Sequence, residues 1–133
     1  MSLVVWDDSY CTGIKTFDEQ HQVLFGLIDN LLAGVAENRE HETVSNTLDA
    51  LLEYTKDHFA AEEKEMLAHA YPDYEEHKKE HQKLLNNVVA YYVKFRADDT
   101  LSTADLVRFL IDWLQNHIHE MDKKYAPHLA PKV

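Results

Sequence analysis

The sequence predicts an all-α protein, an up-down-up-down antiparallel four-helix bundle with a non-helical N-terminal arm. Three observations lead there. The chain has only three glycines and three prolines in 133 residues, too few for a fold rich in turns. Its apolar residues recur at the i, i+3, i+4, i+7 spacing of one helix face in four successive stretches. The polar connections between those stretches are short, which makes consecutive helices antiparallel neighbours.

Each element follows from its own residues. Residues 1–16 form the arm, and Val4, Val5, Trp6, Tyr10 and Ile14 give it the apolar surface to pack across a bundle. The first helix, over 18–37, has a stripe that opens with Phe17 and continues through Leu24, Phe25, Ile28, Leu31, Leu32 and Val35, then fades into the polar run ENREHE. The second, over 42–69, carries Val44, Leu48, Leu51, Leu52, Phe59 and Met66. Pro72 interrupts the pattern, because proline has no N–H to give a helix and its ring crowds the preceding turn. A third helix over 73–96 carries Tyr74, Leu84, Leu85, Val88, Tyr92 and Phe95. After the polar turn RADDTLST, Ser102 and Asp105 resemble a capping box. The fourth helix, over 103–125, then presents Leu106, Phe109, Leu110, Trp113 and Leu114, and Pro127 and Pro131 close the chain.

Composition narrows the function. At 133 residues one domain with one site is expected. A net charge of −11 repels phosphate backbones and anionic lipid, so neither nucleic acid nor a membrane surface is the expected partner. Cys11 is the only cysteine, which excludes an intrachain disulfide. The N-terminus lacks the basic and apolar regions of a signal peptide, and no apolar run reaches the roughly 18 residues of a membrane span. The cytoplasm is the expected compartment.

Histidine is the unusual component, with nine residues. Five of them, His21, His58, His77, His81 and His117, fall on the apolar stripes, and so does Glu62, four residues after His58. His41, His69, His119 and His128 lie off those faces or in turns and read as solvated. Burying five imidazoles and a carboxylate without partners would cost several kcal/mol, which a small bundle can hardly absorb. In the predicted topology all six lie at one end, where they would converge in one layer as a metal site. Near the end of the fourth helix, simple geometry favours Glu120 as a further acidic ligand over Asp122. Asp122 lies five residues after His117, about 140° around an ideal helix, whereas Met121 shares the face of His117.

The motifs, taken together, resemble those of the hemerythrin family, particularly its single-domain bacterial members. They are the histidine of DEQH (His21), H-x3-E (His58, Glu62), H-x3-H (His77, His81), H-x4-D (His117, Asp122) and an arm reading W-x3-Y-x-T-G-I from Trp6 to Ile14. The resemblance implies two non-haem irons per chain, bridged by an oxo or hydroxo group. His77, His81 and His117 would hold one iron, His21 and His58 the other, with Glu62 and Asp122 bridging. That ligand count leaves one position vacant on the second iron for O2. Asp122 enters on the resemblance, which then requires either a π-bulge in the last turn or a carboxylate reaching across from a neighbouring row.

By position, Leu24, Phe25, Phe59, Trp113, Leu114 and Ile118 would line a dry O2 pocket near the open iron. The resemblance therefore implies reversible O2 carriage, storage or delivery, not catalysis, with an O2-consuming enzyme as a plausible recipient. The competing readings are a sensor of O2 or redox state, an enzyme acting on peroxide, nitric oxide or ferrous iron, and a metal-buffering bundle. Imidazole ligands alone do not single out iron from zinc or copper.

Overall fold

The computed structural model describes residues 6–36, 41–96 and 103–132, with backbone alone at some helix ends. Expectations resting on Val4, Val5 and Ser102, and on the side chains of Val35, His41, Val44, Phe95 and Asp105, lie outside the described residues. A 3-10 turn at Asp8–Tyr10 leads into α1 (Lys15–Ala36), α2 (His41–Ala68), α3 (Tyr74–Arg96) and α4 (Thr103–His117). A π-helical segment, Ile118–Asp122, then joins α4 to α5 (Lys123–Leu129), which continues the same rod. Contacts of α1 with α2 and α4, of α2 with α3, and of α3 with α4 close a four-helix bundle.

The arm is fastened to the start of α1 by one carboxylate. The Thr12 N–H and hydroxyl both donate to Asp18 Oδ1 at 2.8 Å, and the Gly13 N–H reaches Oδ2 at 3.3 Å. Gly13 has φ +84°, a left-handed conformation that glycine adopts without the Cβ clash of other residues. This tie lets α1 begin at Lys15, ahead of the expected residue 18.

At the far end of α2 the chain reverses through a Schellman-type cap. The Tyr71 N–H bonds the Met66 carbonyl at 2.9 Å, the Ala70 N–H bonds the Leu67 carbonyl at 3.3 Å, and Ala70 itself is left-handed at φ +53°. Pro72 follows, and α3 restarts at Tyr74, which brings the ends of α2 and α3 that carry His58, Glu62, His77 and His81 side by side.

The fourth rod runs further than the sequence suggests. Pro127 lies inside α5 and does not end it; the helix continues to Leu129. An interior proline costs about 3 kcal/mol. Tyr125 and Leu129 are both fully buried, and burying two such side chains contributes about 2–3 kcal/mol each, which offsets that loss.

Buried apolar residues form two clusters. The larger gathers residues such as Leu31, Leu48, Val88 and Leu106 along the main length of the bundle. The smaller, Ile14, Phe17, Met66, Tyr71, Tyr125 and Leu129, closes the end where the arm, the α2–α3 turn and α5 meet. A layer of buried polar side chains lies between them.

Candidate metal centre

That layer contains His21 from α1, His58 and Glu62 from α2, His77 and His81 from α3, His117 from the end of α4 and Asp122 from the π segment, none more than 5% exposed. The α-helical register puts His58 with Glu62, and His77 with His81, on single faces one turn apart. Asp122 arrives differently. In the π segment hydrogen bonds reach five residues instead of four, so the i+5 residue takes the place that i+4 has in an α-helix. Asp122 therefore turns inward beside His117, while Glu120, the simple geometric alternative, is exposed.

All five imidazoles present Nε2 to the layer, and the two carboxylates divide their oxygens between them. Glu62 Oε2 lies 3.4 Å from His21 and 3.3 Å from His58, while its Oε1 lies 3.3 Å from His81. Asp122 Oδ2 lies 3.0 Å from His21, while its Oδ1 lies 3.0 Å from both His77 and His117. His81 and His117 bring their Nε2 atoms within 3.1 Å of each other. Donor atoms thus converge as two groups, His77/His81/His117 and His21/His58, with Glu62 and Asp122 common to both and all donors within 4.8 Å of one another in each group.

This donor set fits metal ions. Among the described residues several of its atoms have close neighbours in the layer or none at all, but no hydrogen bond of good geometry: both nitrogens of His21 and of His77, Glu62 Oε1 and both oxygens of Asp122. A buried polar atom left without a good hydrogen bond costs about 1–3 kcal/mol, and a shared metal ion would remove that cost. Two donors bound about 2.1 Å from one ion at right angles stand about 3.0 Å apart, the separation that Asp122 keeps from three imidazoles.

Electrostatics point the same way. Burial works to lower the pKa of His21, but the approach of Asp122 and Glu62 outweighs it and lifts the ring to about 10. For His81 burial is likewise overcome, by Glu62 and then Glu63, and the ring rises to about 9. His117 is lowered by burial, only partly offset by Asp122. Glu62 and Asp122 both stay ionised well below the usual carboxylate range, because the facing imidazoles outweigh the effect of burial. The centre is a buried anionic pair that calls for positive charge, and protons on imidazole supply it when no metal does.

The walls on either side differ in chemistry. Toward the larger cluster lies an apolar cavity of about 20 Å³, room for roughly one water-sized or diatomic molecule. Leu24, Phe59, Trp113 and Leu114, four of the six residues read as pocket-lining, form part of its wall, together with Ile28, Leu51, Thr55, Leu84 and Leu110. Phe25 instead packs edge-on against Trp6 and Tyr10, and Ile118 is buried in the larger cluster without lining this cavity. Phe59 lies flat on His81 at 3.7 Å between ring centroids, and Trp113 flat on His117 at 4.2 Å.

Over residues 12–129 the chain matches the Hemerythrin HHE cation binding domain. The chain belongs to the hemerythrin family. It is 36% identical over 131 residues to a bacteriohemerythrin of Methylococcus capsulatus, covering 98% of this chain and 99% of that one. A Pseudomonas aeruginosa bacteriohemerythrin is 34% identical over 95% of this chain and 81% of its own length. The crystal structure of a wild-type hemerythrin superposes with a TM-score of 0.91 at 35% identity, covering 97% of this chain and 99% of that one. Membership of the hemerythrin family implies non-haem iron as the metal for these His, Glu and Asp donors. Among the described residues no helix is long and apolar enough to cross a membrane.

Around the hemerythrin centre stand side chains that the sequence did not single out. Tyr125 is fully buried and donates its hydroxyl hydrogen bond to Glu62 Oε2. Gln20 Oε1 lies 2.6 Å from His58 Nδ1, and Glu63 Oε2 lies 2.8 Å from His81 Nδ1. Histidines that read as solvated are engaged after all, half-buried His69 with Glu65 Oε2 at 3.3 Å among them. His119, though exposed, stacks on Tyr10 at 4.5 Å and meets the Ser9 hydroxyl at 3.1 Å, and half-buried His128 bonds the His69 carbonyl at 2.7 Å. The contacts of His119 and His128 fasten the arm and the last helix, and proximity across the fold, invisible in helical phase, creates them.

Proposed function

We propose that this hemerythrin binds O2 reversibly at two irons, serving as a carrier, store or delivery protein. The observation that carries the reading is the division of the Glu62 and Asp122 oxygens between an imidazole trio and an imidazole pair. With both carboxylates shared, His77, His81 and His117 complete one half-site, and His21 and His58 leave the other one donor short. Two ferrous ions held there would supply the electrons and the vacant position that O2 binding requires.

The protein's own residues do the rest. Glu62 and Asp122 set the spacing of the two half-sites. Tyr125 anchors Glu62 from the closed end; burial, reinforced by Glu62 and Asp122, holds its hydroxyl far above the usual tyrosine range, so it remains a donor. Phe59 and Trp113 fix the planes of His81 and His117, and thereby the aim of their Nε2 atoms. The cavity walls of Leu24, Leu114 and their neighbours hold little more than a diatomic molecule and offer few polar groups, which keeps bulk water from the centre. A cavity of about 20 Å³ suits a molecule the size of O2.

Anaerobic reduction followed by exposure to air, with iron content and the visible spectrum recorded together, tests the reading. Two irons per chain and a charge-transfer band that appears with O2 and leaves under inert gas are expected. Zinc in place of iron, or irreversible bleaching on first exposure, would overturn it.

A further inference from the structure

All five imidazoles turn Nε2 toward the centre, so with a metal ion on Nε2 the proton of each neutral ring would reside on Nδ1. What receives that proton differs around the site. His81, in the trio, has the Glu63 carboxylate at 2.8 Å; His58, in the pair, has the Gln20 amide oxygen at 2.6 Å. Among the described residues His21 and His77 have no hydrogen-bond partner on Nδ1. The Glu63 side chain is only 20% exposed, so solvent weakens its pull less than it would at the surface.

An ionised acceptor makes a hydrogen bond roughly twice as strong as a neutral one. Drawing the Nδ1 proton outward raises the basicity of the opposite nitrogen, and partners of this kind change metal affinity by about 10–100-fold. The carboxylate acts on the half-site that already has three imidazoles, and the amide on the half-site that has two. Neither Gln20 nor Glu63 belongs to the donor set itself.

We propose that Glu63 and Gln20 are positioning residues that hold the two half-sites apart in affinity. Glu63 strengthens the His77/His81/His117 trio, which takes the first ion. Gln20 keeps the His21/His58 pair weaker, so that it fills second and gives up its ion first. The extra imidazole would favour the trio in any case; the two outer partners widen that gap. This inference rests on the two-ion reading of the centre, but not on O2 binding.

Anaerobic titration of the full chain with Co²⁺ against a competing chelator tests it, because the two stepwise affinities are read without any oxygen chemistry. Glu63→Gln should weaken the first step by about 10–100-fold and leave the second within about threefold. Gln20→Glu should strengthen the second step by about 10–100-fold, a gain that structural damage does not produce. At one equivalent of Co²⁺, anomalous scattering from crystals should place the ion at the trio in the parent protein. Two bound ions with the first step unmoved in Glu63→Gln, or the second unmoved in Gln20→Glu, would overturn the proposal alone, as would a first ion at the pair. Binding of fewer than two ions would overturn the two-ion reading and this proposal with it.

Discussion

The two apolar regions that enclose the polar layer are built to different ends. On the side of the larger cluster, Leu24, Leu51, Leu84, Leu110 and Leu114 approach the centre with hydrocarbon and leave a small cavity. On the other side Ile14, Phe17, Met66, Tyr71 and Leu129 pack around Tyr125, whose hydroxyl reaches Glu62. Thr55 is the polar exception in the cavity wall, and its hydroxyl is spent on the Leu51 carbonyl at 2.7 Å. One wall holds the centre's framework in place; the other leaves space beside it. A centre that binds O2, as proposed above, would need both kinds of wall.

The largest expected effect comes from emptying the layer that divides the two regions. Stripping the metal should lower the thermal midpoint by on the order of 10 °C or more, because donors from all four rods then lose their common partner. Scanning calorimetry before and after chelation measures this, and an unchanged midpoint would show that the imidazoles and carboxylates satisfy each other unaided.

Leu114→Ala attacks the open wall. It should cost about 2–5 kcal/mol of stability and speed autoxidation severalfold by admitting water. Autoxidation at the parent rate, followed in the visible band, would remove Leu114 from the wall that matters. Tyr125→Phe attacks the closed wall and should cost about 1–3 kcal/mol in urea unfolding by leaving a buried Glu62 oxygen without its donor. It should change autoxidation less than Leu114→Ala does; the reverse order would mean that the two walls are not specialised as described.

The metal-free protein should also respond to pH in a direction that the centre dictates. His21 at about 10 and His81 at about 9 lie above their ordinary value of 6.5. The stability they contribute is full below about pH 6.5 and is lost as pH rises through 9 and 10. The thermal midpoint of the apoprotein should therefore fall by several degrees between pH 7 and pH 10, while metal affinity rises as protons leave the donors. A midpoint that rises over that range would contradict the buried anionic pair as the source of these shifts.

The smallest effect lies outside the layer. Ala70 holds a left-handed conformation at the end of α2, which costs a residue with a Cβ about 1 kcal/mol. Ala70→Gly should recover about that much and leave metal content unchanged, as unfolding curves and metal analysis would show.

What the sequence made legible follows from periodicity. Helical phase put His21, His58, Glu62, His77, His81 and His117 on inward faces, and topology put them at one end. Asp122 was legible only through the family's motif, because its spacing from His117 violates α-helical phase and nothing local announces a π segment. Phe25 and Ile118 share the apolar stripes with the cavity residues, and phase alone does not separate a cavity wall from the packing around it. Gln20 and Glu63 flank His21 and Glu62 in sequence, yet they serve His58 and His81 on other helices. Tyr125 lies three residues beyond Asp122, a spacing that carries meaning only once the π segment has reset the register.

That reset has a consequence for the whole fourth rod. Leu106, Leu110, Trp113 and His117 follow one helical seam, and Asp122, Tyr125 and Leu129 follow another, displaced by a single residue. The π segment absorbs that residue, so the two seams face the same side of the bundle end to end. An insertion that would ordinarily throw half a helix out of phase is here the means by which one rod serves two neighbours: a long core that wants leucine, and a short cap that wants tyrosine.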